Sequence, residues 1–236
     1  MKRNLITILA FAFLLSSFTS NNKQKDNTLS KQEKKEGWKL LFDGTTTNGW
    51  RIYQNKKVDD WDVKNGELYC KVEGVSKRAD LITNDKYENF ELQIDWKIAP
   101  KENGGIIYMV TEDNGATYES GPEYQLIDDE GYPEKIKDVQ LSGANYDMNP
   151  PTTKVVKPVG EFNHTKIVIN KGHVEHWLNG ARVLAFELDS DEVKEAVAKS
   201  KFKNTPGFPA KIKGHILLTD HRDEASFRNI KIRPLN

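Results

Sequence analysis

The chain has one cysteine, Cys70, so neither an intrachain disulfide nor a paired-cysteine zinc site can form. Net charge is also missing: 35 lysines and arginines balance 35 aspartates and glutamates. A balanced chain supplies no field for nucleic acid or an anionic membrane, and both are excluded as expected partners. There is no phosphate-binding glycine loop and no nucleophile elbow, which removes nucleotide-dependent and serine-hydrolase chemistry from consideration. Long apolar runs are scarce. The clearest, Leu5 to Leu15, follows Lys2 and Arg3 and precedes small polar residues, the layout of a secretory signal peptide over residues 1–20. It is shorter than the roughly 20 residues that span a bilayer, so no stable membrane anchor is expected and the mature protein belongs in the periplasm or outside the cell.

Residues 21–36, NNKQKDNTLSKQEKKE, are almost wholly polar and read as a flexible leader. A single domain is expected over 37–236. Short apolar or alternating runs separated by Gly, Asn, Asp and Pro point to an all-β fold. In FELQIDWKI, Phe90, Leu92, Ile94, Trp96 and Ile98 share one face and the polar residues share the other. NGG at 103–105 reads as a turn into IIYMV, and Asn179-Gly180 as a tight hairpin turn. One short helix is expected in SDEVKEAVAKSKF, capped by Ser190 or Asp189.

Four stretches carry residues suited to chemistry. In GPEYQLIDDEG, Glu123 and Gln125 share a strand face, and a bulge after Gln125 would bring Asp128 onto it as well. Paired carboxylates of this kind serve glycoside cleavage, although Gln125 interrupts the all-acidic spacing of laminarinase-like glucanases. In LLTDHRDEASFRNIKI, Asp220 and His221 stand where an apolar strand ends, with Arg228 and Asn229 on the next strand. His176 and Trp177 in HVEHWLNG face opposite ways, and Trp177 reads as core. Tyr146 lies in SGANYDMNPP, a loop stiffened by Pro150 and Pro151. The acids Asp128, Asp129 and Glu130 could hold a divalent cation, but their spacing is not that of a calcium loop, and no cofactor is otherwise called for.

Taken in order, GWKLLFDGTTTNGW, YENFELQIDWKI, SGPEYQLIDDEG, SGANYD, GEFNHTKIVI, VEHWLNG and FRNIKIRPL, spread from Gly37 to Leu235, resemble the 3-keto-disaccharide hydrolase-like family. The resemblance implies a concanavalin A-like (jelly-roll) sandwich of two curved antiparallel sheets. It also implies an oligosaccharide or glycoside substrate oxidised at the 3-hydroxyl. Carried over by position, it marks Glu123, His221 and Asp128 as catalytic, with Glu123 and His221 as base and acid in either order. Gln125, Arg228, Asn229 and Asp220 are marked as substrate contacts, with Tyr146 and His176 on the rim. Thr219 and Arg222 stand where the family pattern has Gln and Gly. Two other readings stay open at this level: a conventional glycoside hydrolase and a non-catalytic carbohydrate-binding sandwich.

Overall fold

A computed structural model describes residues 24–113, 115–209 and 213–235; the expected signal peptide lies outside them. The alternation seen in the sequence is realised as thirteen strands among the described residues. They are β1 (Lys39–Leu40), β2 (Trp50–Ile52), β3 (Trp61–Lys64), β4 (Glu67–Cys70), β5 (Leu81–Thr83), β6 (Phe90–Ile98) and β7 (Asn103–Val110). After these come β8 (Glu123–Ile127), β9 (Asn163–Asn170), β10 (His173–Leu178), β11 (Ala181–Glu187), β12 (His215–Leu218) and β13 (Ala225–Pro234). They form two antiparallel sheets. The larger runs β11-β10-β9-β6-β13-β4-β3, with β1 also on β13, and the smaller runs β2-β5-β12-β7-β8. This is an all-β jelly-roll sandwich of the concanavalin A-like class.

The core lies between the sheets. Along β6, Phe90, Leu92, Ile94, Trp96 and Ile98 are buried in strict alternation with half-buried polar residues, as a period of two requires. They face Ile106, Tyr108, Tyr124, Leu126, Ile216 and Leu218 of the smaller sheet. The smaller sheet also buries its opposite face: Tyr53, Ile82, Ile107, Val110 and Leu217 form a second apolar cluster there. A sheet covered on both sides can hold polar side chains away from water, and β8 does so, being buried at all five positions. The hairpin between β10 and β11 turns on Asn179 and Gly180 at φ 49° and 88°, as their residue types allow.

Local expectations are corrected at several points. Asn103-Gly104-Gly105 is the first part of β7, and the chain turns before it, where Lys101 has φ 69°. Among the described residues two α-helices are present rather than one: α1 (Lys31–Lys35) and α2 (Asp191–Lys199). Ser30 caps α1 in a reciprocal capping box with Glu33, and Ser190 caps α2 by accepting from the Val193 N–H. The segment expected to be a flexible leader is docked over residues 24–36. The Asn27 N–H donates to Asn229 Oδ1 at 2.6 Å, and the Asn229 N–H donates back to Asn27 Oδ1 at 2.8 Å. Lys231 pairs with Glu33. Polar composition misled here because backbone and side-chain hydrogen bonds, not apolar burial, hold the segment. No helix among the described residues is long and apolar enough to cross a membrane.

His176, expected on the rim of a site, is instead wholly buried against Tyr108, Tyr124 and Phe186. Its Nδ1 lies 3.0 Å from the Gly143 carbonyl oxygen, which can only accept, so Nδ1 carries the proton and Nε2 accepts from the Tyr108 hydroxyl at 3.0 Å. Trp177, expected in the core, is half-exposed on the outer face under the Lys166 ammonium. The two neighbours alternate as read, with their faces exchanged. Burial lowers the His176 pKa from 6.5 to about 4, against a smaller opposing effect of the Gly143 carbonyl. The unfolded chain therefore takes up a proton there before the folded one does. Folding stability should be full above pH 6.5 and fall by about 3 kcal/mol as pH drops through the folded value near 4. Urea unfolding of the wild type and His176→Phe across pH 4 to 7 checks this, since the variant should lose that part of the acid sensitivity.

Candidate active site

The outward face of the smaller sheet, away from the core, carries a cleft of about 300 Å³. Its floor follows from the antiparallel register of β7 and β8, which pairs Gly105 with Gln125 and Ile107 with Glu123 and shows no bulge. Glu123 and Gln125 therefore point the same way, into the cleft. Glu123 is only 5% exposed. Its side chain lies across Gly105, where an added Cβ would stand 1.9 Å from Oε1. Only glycine leaves that space. A Cβ on Gly104 would find nothing nearer than 3.9 Å, so a serine in the middle of this NGG would be accommodated.

His221 reaches the same point from the end of β12. Its Nε2 lies 3.9 Å from Glu123 Oε1, and that oxygen has no hydrogen-bond donor among the described residues. Burial disfavours the imidazolium, but the nearby Glu123 carboxylate, and then Asp80 and Asp223, outweigh it, and the His221 pKa is raised. The loop behind His221 is tied down: the Asp220 N–H donates to Asp80 Oδ1 at 2.7 Å, and Asp80 Oδ2 accepts from the Thr117 hydroxyl at 2.5 Å. Arg222, standing where the family pattern has glycine, adopts φ 70° and donates its N–H to Asp220 Oδ1 at 2.6 Å. This left-handed conformation is one that glycine adopts without strain.

Tyr146 forms a wall. Its loop extends the sheet beyond β8: the Gly143 and Tyr146 N–H groups donate to the Gln125 and Glu123 carbonyls at 2.9 and 3.0 Å. Gln125 is fixed from the other side by donating Nε2 to Asn103 Oδ1 at 2.9 Å. Facing Tyr146 is Lys201, on a 3₁₀ turn (Lys201–Asn204) after α2. Its ammonium lies 4.4 Å from the Tyr146 ring centre and 4.6 Å from that of Tyr118. Its backbone N–H donates to Asp147 Oδ2 at 2.7 Å. Burial lowers the Lys201 pKa, partly offset by Glu123 and Asp147. Sequence reading missed Lys201, Tyr118 and Asp80, which come from segments remote in the chain and carry no local pattern.

The structure thus brings together Glu123, Gln125, Tyr146, Asp220 and His221, and separates the other expected residues from them. Asp128 is not turned onto the Glu123 face, because β8 runs unbulged. It ends the strand and accepts from the backbone N–H groups of Lys101, Gly131 and Glu130 at 2.8, 2.8 and 3.2 Å. Burial would raise its pKa, yet these three donors lower it. Its carboxylate serves the turn. Arg228 and Asn229 lie on β13, in the other sheet. Arg228 pairs with Asp26 at 2.9 Å and stacks on Phe162 at 3.8 Å, and Asn229 donates to Asp95 at 2.7 Å. Both border a separate groove beside residues 24–28.

With this geometry in view, known proteins offer a direct comparison. The family profile of the 3-keto-alpha-glucoside-1,2-lyase-like domain matches residues 37–233. The chain belongs to this family. A relative from Bacteroides thetaiotaomicron, named 3-keto-disaccharide hydrolase, is 32% identical over 231 residues, covering 85% of this chain and 79% of its own. A crystal structure of a candidate glycosyl hydrolase from Parabacteroides distasonis is similar at 37% identity and a TM-score of 0.84, covering 90% of this chain and all of its own. A second candidate glycosyl hydrolase from that organism reaches 29% identity and a TM-score of 0.64, over 84% of this chain and 99% of its own.

The position of Glu123 over Gly105 makes a test of the cleft possible. Gly105→Ala should displace the carboxylate and lower kcat/KM by ~100-fold, the usual result of misplacing a reacting group by about 1 Å. Gly104→Ala should leave turnover near wild type. Steady-state kinetics of both variants, with circular dichroism as a check on folding, read the difference.

Proposed function

We propose that the protein is an exported enzyme that cleaves the glycosidic bond of sugars oxidised to a ketone at carbon 3, by elimination followed by hydration. Family membership makes it a hydrolase or lyase of glycosyl bonds. The name of the Bacteroides relative supports a 3-keto-disaccharide among the substrates. The observation that carries the mechanism is the Glu123–His221 pair at 3.9 Å: one buried carboxylate and one histidine favoured as imidazolium, at the same end of one cleft.

A ketone at carbon 3 acidifies the hydrogen on carbon 2. In the proposed sequence the Glu123 carboxylate removes that proton, and the electron pair moves to the carbon 3 oxygen as an enolate. As the ketone reforms, the bond from carbon 1 to the glycosidic oxygen breaks, and protonated His221 gives its proton to the departing oxygen. Water then adds to carbon 1 of the unsaturated ketone, losing a proton to neutral His221, and Glu123 returns the proton to carbon 2. Both groups finish as they began. Lys201 and Gln125 border the same space and would stabilise the enolate oxygen by charge and hydrogen bonding. Tyr118, 44% exposed at the edge, offers an aromatic face to the departing sugar.

Conventional glycoside hydrolysis fits less well. It requires two available carboxyl groups flanking the bond. Asp128 lies outside the cleft, both oxygens of Asp80 are engaged by Thr117 and the Asp220 N–H, and the Asp220 side chain is 1% exposed and paired with Arg78. The chemistry can be tested by incubating the protein with a 3-keto-glycoside and with its unoxidised parent. Only the keto substrate should release aglycone. Glu123→Gln and His221→Ala should each lower kcat/KM by ~100-fold or more while leaving the fold intact. Release from the parent alone, or full activity in both variants, would contradict the assignment.

A further inference from the structure

Behind the cleft, at the end of the sandwich, three side chains from separate segments converge. Asp60 immediately precedes β3, Cys70 closes β4 opposite Trp61, and Asp220 follows β12 of the other sheet. Asp60 and Cys70 are 0% exposed, and the Asp220 side chain is 1% exposed. One oxygen of each carboxylate and the sulfur all lie within 4.8 Å of one another. Each carboxylate has one oxygen engaged by the protein. Asp60 Oδ2 accepts from the Ala79 N–H at 2.9 Å, and Asp220 Oδ1 accepts from Arg78 at 3.1 Å and from the Arg222 N–H. Asp60 Oδ1 and Asp220 Oδ2 are buried with no donor among the described residues. Two such oxygens beside a thiol, away from water, need a proton between them or a cation.

We propose that Asp60, Cys70 and Asp220 form a binding site for a thiophilic divalent cation of the zinc class, adjoining the catalytic cleft through Asp220. Two oxygens and a sulfur are the mixed donor set that zinc accepts, with water able to complete four-coordination. Calcium and magnesium require more oxygen ligands than this cluster has. The charges also fit. Two carboxylates and a thiolate, less the Arg78 guanidinium, sum to minus two, which a divalent ion cancels. Asp220 lies beside the cleft and Cys70 beside a groove with Tyr69 and Glu102, so only a local opening separates the buried cluster from solvent on either side. Because Asp220 directly precedes His221, a bound ion would fasten the histidine loop to β4 across the two sheets.

Cys70 is the only thiol, so a sulfur-to-metal absorption band can arise nowhere else in the chain. The purified protein is stripped with a chelator, loaded with Co²⁺ and desalted, and its near-ultraviolet spectrum and metal content are measured. One equivalent of cobalt with a sulfur-to-cobalt charge-transfer band is expected, displaced by Zn²⁺. Cys70→Ser should abolish the band, Asp60→Asn should weaken Co²⁺ binding by ~10-fold or more, and His221→Ala should leave the band unchanged. If the wild type retains no cobalt, or retains it without the band, the two carboxyls share a proton instead and the proposal is overturned. The wild-type spectrum decides the matter even if a variant fails to fold, and it does so whatever the glycosidase assays show.

Discussion

A carboxylate 5% exposed, with one oxygen lacking a hydrogen-bond donor among the described residues, is unstable unless something nearby makes it tolerable, and the architecture around the cleft is organised about that requirement. Space for Glu123 exists because Gly105 has no side chain. Its burial exists because the smaller sheet is covered on both faces, with the sandwich core behind it and a second apolar cluster beside the cleft. Its charge is compensated at 3.9 Å by a histidine whose loop is held through Asp220 and Asp80. Its place in the cleft, with Oε1 unengaged among the described residues, fits Glu123 to the base role proposed for it.

The two sheets divide the work. The larger sheet supplies the regular apolar face and receives the docked segment 24–36 on β13, where Asn27 and Asn229 exchange hydrogen bonds. The smaller sheet, with strands of three to eight residues, positions the reactive groups from β7, β8 and the end of β12. Lys201 and Tyr146 are brought in from opposite sides by the turn after α2 and the loop that extends β8, and the Lys201 N–H to Asp147 contact joins those two segments.

Much of this was legible in the sequence where one physical rule dominated. The alternation in β6 gave the strand and its buried face residue by residue, and Asn179-Gly180 gave the hairpin, because those patterns depend on local geometry. What failed was any inference that required knowing which sheet a strand joins. Arg228 and His221 are close in sequence, yet β12 and β13 lie in different sheets, so only one of the two residues reaches the cleft. Asp128 failed because the proposed bulge is absent, and His176 because alternation does not say which of two neighbours faces inward. Lys201, Tyr118 and Asp80 were invisible for a different reason: each is an ordinary surface-type residue until remote segments fold over it.

The central claim is that Glu123 exchanges a proton with carbon 2 of the sugar while the glycosidic bond is broken by elimination. It is tested most directly by running the reaction in D₂O and locating deuterium in the product by NMR, with an enzyme-free control for spontaneous exchange and Glu123→Gln in parallel. The account predicts enzyme-dependent deuterium at carbon 2 in the wild type, lost with turnover in the variant. Turnover that leaves the original hydrogen on carbon 2 while water enters at carbon 1 would contradict it.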